Sequence, residues 1–354
     1  MRYPFSCARV ARQGHESLMR MHRPRAWRAV AAGILATSLL MAATPTRAAF
    51  PGANGPIAFV SDRDSTTTLN DEIYLTDDHG TPAIRLTSHP ATDTTPAVTP
   101  NGKQVAFASG RDTAEFPNPE GDLELYVMDA SDEDGDHNGD HLRRLTDNAA
   151  TDDQPAWSPG GRKLAFHSTR DGNDEIYVLD ADGTGTPTNL TNHPARDLWP
   201  VFSPDGTRLA FASFRDGNFE LYLMGADGSA VTNLTSNPAN DGWPEFSPDG
   251  SRLAFGSTRE ATVAGEVDIW VLHLDGSAAP VNLTEAMVTN ERWPAWSPDG
   301  TKLAFWSGIG NGAGADAEIY VVHADGTGTP INLTSNQAGD VFPDWGPAPV
   351  KKRN

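Results

Sequence analysis

One apolar triplet sets the terms for this chain. Leu209-Ala210-Phe211 recurs as Ile57-Ala58-Phe59, Val105-Ala106-Phe107, Leu164-Ala165-Phe166, Leu253-Ala254-Phe255 and Leu303-Ala304-Phe305. Successive copies start 48, 59, 45, 44 and 50 residues apart. A chain that repeats itself at this period is an array of one supersecondary unit, which cannot bury its apolar face without its neighbours. The surroundings of the triplet repeat as well. Pro-x-aromatic-Ser-Pro and Asp-Gly come before it, as in Pro200-Val201-Phe202-Ser203-Pro204-Asp205-Gly206. A Ser-x-Arg loop, an acid-aliphatic-aromatic run such as Glu220-Leu221-Tyr222, a second Asp-Gly and Asn-Leu-Thr come after it.

Asp-Gly between β-branched and aromatic runs signals a hairpin, because glycine accepts positive φ. The runs are too short for helices, and several are apolar on both faces, so they need a layer on each side. Four strands per copy and six copies predict an all-β, six-bladed β-propeller of four-stranded antiparallel blades. The first copy begins at its second strand, Pro56 to Ser61, while an extra first strand, Phe342 to Pro347, follows the last copy. The C-terminal strand is therefore expected to complete the N-terminal blade and close the ring, leaving no open seam.

Ser203-Pro204-Asp205-Gly206, Ser247-Pro248-Asp249-Gly250, Ser297-Pro298-Asp299-Gly300 and Trp157-Ser158-Pro159 resemble the Pro-Asp repeat of TolB-type propellers, over about residues 55–347. The resemblance implies the fold and an exported bacterial protein. It does not by itself assign an activity, since such folds carry many. TolB has an α/β domain ahead of its propeller, and Ala49 to Pro56 gives no room for one.

Charge divides the chain. Of 27 basic and 47 acidic residues, the first 48 hold eight arginines, no lysine and one acid, Glu16. Arg23, Arg25 and Arg28 precede the uncharged apolar stretch Ala29 to Ala43, and Thr46-Arg47-Ala48 follows. This pattern predicts a signal peptide over 1–48, cleaved before Ala49, with a start over-extended upstream of Met21. The propeller is then expected over 49–347 and a basic tail over 348–354. The apolar stretch is too short to span a bilayer, so no membrane insertion is expected after cleavage. The only cysteine, Cys7, lies in the removed segment, which leaves no disulfide. The net charge of -20 excludes a nucleic-acid partner, whose phosphates need a basic footprint.

Three residues before the first proline of each copy stands an acid: Asp93, Asp152, Asp197, Asp241, Glu291 and Asp340. Symmetry predicts a ring of them at one mouth of the central channel. There they either hold a cation or basic peptide or pair with Arg63, Arg111, Arg170, Arg215 and Arg259 as a tie between blades. The sixth copy has no arginine in Ser307-Gly308-Ile309-Gly310. Immediately before the proline, four copies carry an aromatic residue: Trp199, Trp243, Trp293 and Phe342. Such rings either pack at the rim or grip a sugar or peptide. In the second copy Asp134, Asp136, Asn138 and Asp140 match the first half of a calcium loop, although Leu145 occupies the place of its closing glutamate. No cofactor is required on this reading, and calcium is the one candidate. No nucleophile elbow or histidine-rich metal spacing occurs. The leading expectation is an exported, monomeric, non-catalytic scaffold for a protein or peptide. The alternative is a carbohydrate-binding or carbohydrate-active propeller, aided by a divalent metal.

Overall fold

The computed structural model describes residues 52–64, 70–133, 135–137, 139–261, 266–308 and 317–349. The signal-peptide segment, Asp134, Asn138, most of the sixth Ser-x-x loop and the last five residues lie outside these. Among the described residues 24 strands form six four-stranded antiparallel sheets. In blade 4 they are Asp197–Phe202, Arg208–Ser213, Glu220–Gly225 and Thr232–Asn233, in that order from first to fourth. Blades 2, 3, 5 and 6 repeat the arrangement with first strands Asp93–Val98, Asp152–Trp157, Asp241–Phe246 and Asn290–Trp296.

Blade 1 joins the two ends of the propeller. Asp340–Pro347 pairs with Asn54–Ser61, setting Ile57 opposite Trp345 and Ser61 opposite Asp340. Glu72–Thr76 and Ile84–Arg85 complete the sheet. The expected ring closure is therefore present.

The triplets form the second strands, and their phenylalanines Phe59, Phe107, Phe166, Phe211, Phe255 and Phe305 are all fully buried. Phe59, Phe107, Phe166, Phe211 and Phe305 each pack on the tyrosine opposite in the third strand, such as Tyr222 opposite Phe211 with ring centroids 5.8 Å apart. Rings of this size carry a large share of buried apolar surface. The Ser-Pro-Asp-Gly segments are the turns between first and second strands. Asp205 Oδ1 accepts from Ser203 Oγ at 2.6 Å and from Thr207 N at 2.9 Å, and Gly206 takes φ of 70°. That φ, not ligand chemistry, is what the glycine is for. The Asn-Leu-Thr segments are structural too. Thr235 Oγ1 donates to Glu220 Oε2 at 2.6 Å, and Asn233 Nδ2 reaches Tyr222 Oη at 3.2 Å.

Each first strand carries a β-bulge at its proline. Proline has no N–H for the ladder and belongs at such a break. The residue before it is held in the left-handed region in all six blades: Thr95, Gln154, Trp199, Trp243, Trp293 and Phe342 have φ between 48° and 59°. For a non-glycine residue this costs on the order of 1–3 kcal/mol and persists where the surroundings over-determine it.

Candidate functional site: an aromatic collar over a narrow channel

At the head of the same strand the acid is anchored by an arginine. Asp93 accepts two hydrogen bonds from Arg111 Nη2 at 2.7 and 2.8 Å, while Arg111 Nε donates to Ser109 Oγ at 2.9 Å. Asp152–Arg170, Asp197–Arg215, Asp241–Arg259 and Asp340–Arg63 repeat the pair. Each guanidinium also lies over the two rings of its blade; Arg111 sits 5.1 Å from both Phe107 and Tyr126. All six acids, Glu291 included, have no exposed surface. They do not form an open ring at the mouth, because the arginine from the following loop covers each of the five aspartates. The tie also runs within a blade rather than between blades: it clamps the head of the first strand to the end of the second.

Blade 6 departs from this scheme. Glu291 accepts from Thr289 Oγ1 at 2.6 Å and Ser307 Oγ at 3.0 Å, and its protonated carboxyl donates to Asp268. The neighbouring acid, on the third strand of blade 5, is Asp268, where every other blade has glutamate. Glutamate and aspartate have exchanged places, so the combined side-chain length across the junction is kept. Burial, and then the Asp268 charge, push the Glu291 carboxyl up to about 8, against the opposing hydrogen bonds from Thr289 and Ser307. The folded chain therefore holds this proton from about pH 4.5 to about 8, where the unfolded chain has released it. Stability through this group falls as pH rises across that window, by at most about 1.4 kcal/mol per pH unit. Glu291→Gln is expected to flatten the fall, read as urea midpoints of variant and wild type between pH 5 and 9. An unchanged slope counts against a protonated Glu291.

The six bulges aim their left-handed residues at one end of the central channel, as bulges do when they redirect a side chain. Trp199 and Trp243 stand 4.8 Å apart between ring centroids, Trp243 and Trp293 6.2 Å, and Trp293 and Phe342 4.7 Å. All four rings are half-buried. The six-membered ring of Trp199 lies across Gly242 of the next blade, where a Cβ would come within 2.8 Å of it. Thr95 and Gln154 form the polar remainder of this collar. Thr95 Oγ1 donates to Asp153 Oδ1 at 2.6 Å, and Gln154 Oε1 accepts from Trp199 N at 3.2 Å. The collar is thus lopsided, aromatic over blades 4, 5, 6 and 1 and polar over blades 2 and 3. The aromatic side extends outward over blade 4. Phe219 packs on Trp199 at 5.5 Å and Phe214 on Phe219 at 5.2 Å, and Phe214 is 42% exposed.

Below the collar the channel is a cavity of about 90 Å³ lined by six prolines, Pro96, Pro155, Pro200, Pro244, Pro294 and Pro343. The next residues inward are Ala97, Ala156, Val201, Glu245, Ala295 and Asp344. Two carboxyls therefore stand in an otherwise apolar layer. Asp344 Oδ2 accepts from Val98 N at 2.6 Å. Burial pushes Asp344 up to about 6 despite that bond, and pushes Glu245 well above the usual carboxylate range, with the Asp344 charge adding to it. Sequence reasoning missed both. The available signal was the x of Pro-x-aromatic, which is small and apolar in the other four copies.

In the second blade's hairpin, Asp136 and Asp140 fall within the described residues. Asp140 Oδ2 accepts from Glu133 N at 2.7 Å, and Asp132 pairs with His137 at 2.6 Å. No group of three or more His, Cys, Asp or Glu side chains placed to hold a metal ion occurs among the described residues.

Blade count and ring closure define a six-bladed β-propeller with Pro-Asp turns. Residues 183–293 match the family model described as the TolB beta propeller domain, and the chain is similar to TolB proteins over parts of its length. It is 30% identical over 197 residues to the TolB homolog of Chlorobium luteolum; the alignment covers 46% of this chain and 42% of that protein, so the match spans less than half the relative's length. Crystallised TolB from Acinetobacter baumannii superposes with a TM-score of 0.65 at 21% identity, over 84% of this chain and 67% of that one. A putative TolB from Agrobacterium tumefaciens gives 0.61 at 23% identity, over 82% and 91%. At these identities the likeness to the two structures concerns the fold.

Proposed function

We propose that this is an exported, non-catalytic scaffold that binds a protein or peptide across the collar face. The observation that carries the reading is the contiguous aromatic band running from Phe342 through Trp293, Trp243 and Trp199 to Phe219 and the exposed Phe214. Its four collar residues, Phe342, Trp293, Trp243 and Trp199, are held on strained backbone, which a fold maintains at a cost. Large aromatic side chains with little conformational freedom are the usual anchors of protein recognition. The acids first considered for the mouth are enclosed within the blades and do not reach a ligand there. The band and the collar therefore carry the proposal.

The test is capture from envelope and secreted extracts by the immobilised propeller. W199A/W243A is expected to lose at least ten-fold in the captured partner while still melting cooperatively. F214A, at the exposed end of the band, is expected to weaken capture less. Equal capture by wild type and both variants overturns the reading.

A further inference from the structure

We infer that the channel below the collar is a socket for an organic cation, an ammonium or guanidinium group on a slender alkyl stem. The inference rests on the reading of the collar as a recognition face and names the chemistry that the face admits. Three independent features converge on it. First, the socket has walls and room. Six prolines and a layer of alanine and valine line about 90 Å³, several times the roughly 10–15 Å³ that one water needs on this measure and enough for a group of a few heavy atoms. Second, two carboxyls break the apolar layer. Glu245 and Asp344 are both half-buried and both line the cavity, near enough for the Asp344 charge to act on Glu245. Two partly desolvated carboxyls side by side are costly, and a cation relieves that cost most directly. Third, the way in passes indole faces. Cations are drawn to such faces, and tryptophan is the strongest of the aromatic side chains in this respect.

The charged groups around the socket fit this chemistry. Asp344 is the other titratable side chain lining the cavity. Asp153 stands behind Thr95 at the polar side of the collar, and Arg292 lies 5.7 Å over Trp243 and does not line the cavity. Burial raises both carboxyls, and the Asp344 charge adds to the effect on Glu245. A cation between them favours their ionised forms, and any proton it displaces passes to solvent. The stem runs out past the indole faces of Trp199, Trp243 and Trp293, which line the same cavity as the two carboxyls. Two carboxyls without a third ligand suit an organic cation better than a metal ion, which takes at least four.

The test uses the propeller with agmatine, 1,5-diaminopentane, the tripeptide acetyl-Gly-Arg-Gly-amide and, as the uncharged control, 1-pentanol. Binding is followed by calorimetry and by quenching of tryptophan fluorescence. Saturable binding of the cations but not of pentanol is expected, weakened at least ten-fold in E245Q and in D344N. Tripeptide binding assigns the ligand to a side chain of a partner; binding of agmatine without the tripeptide assigns it to a free amine. Agmatine binding that is absent from wild type, matched by pentanol, or unchanged in E245Q/D344N overturns the socket. Should a variant fail to melt cooperatively, the wild-type comparison of agmatine with pentanol still decides. The two readings also fail separately. Collar-dependent capture with no agmatine binding leaves the scaffold and removes the socket, and agmatine binding with collar-independent capture does the reverse.

Discussion

Deleting residues 341–354 is expected to abolish cooperative unfolding, so that a calorimetric scan shows no two-state transition. The deleted strand is the innermost of blade 1 and supplies four kinds of support at once. It hydrogen-bonds Asn54–Ser61 along its length. It carries Trp345, 3% exposed, into a cluster with Ile57, Ala295, Ala304 and Val321. It carries Val341 into the cluster shared with blade 2. Its Asp344 side chain holds the Val98 amide. Without it the first strand of the chain becomes an exposed apolar edge beside an opened channel. Trp345→Ala alone is expected to cost about 3–5 kcal/mol, as large aromatic truncations in cores do. A deletion variant that melts as wild type does would show that the ring is not held by its ends.

The second large effect is expected at the clamps. Asp93→Ala leaves the Arg111 guanidinium, 4% exposed, buried without its counter-ion. Removing one partner of such a pair typically costs about 3–5 kcal/mol, because the remaining charge stays desolvated. Asp340→Ala should cost less, since the Arg63 side chain is 24% exposed and can turn towards water. Asp93→Ala combined with Arg111→Met should recover much of the loss, because an apolar stem can still lie between Phe107 and Tyr126. Urea unfolding of the three variants gives the ordering. Equal losses for Asp93→Ala and Asp340→Ala would mean that burial of the arginine does not set the cost.

The blades were legible from short-range pattern. Asp-Gly turns, short runs apolar on both faces and the displaced Phe342–Pro347 segment are local signals that tertiary context does not overturn. The collar was legible in identity but not in conformation. Trp199, Trp243, Trp293 and Phe342 stood out by repetition, yet nothing in Trp-Pro announces φ near 55°. The bulge there breaks the strand's alternation, so the direction of every residue from the acid to the aromatic depends on one irregular step. This is why Asp93 and its equivalents, read as a possible mouth, point into the blade. It is also why Glu245 and Asp344, one residue past the proline, went unread. Phe214 and Phe219 lacked the signal of repetition, since the corresponding places in the other blades hold no aromatic pair.

Blade 1 also sets a timetable. Ile57 meets Trp345 across nearly the whole length of the propeller. A contact this distant in sequence makes for slow folding, because loop-closure entropy must be met before the contact contributes. A chain made from its N-terminus has five blades and three-quarters of a sixth before the strand that locks them emerges. Until then every blade edge next to the gap is open, and the closed ring is a state that only a finished chain can reach.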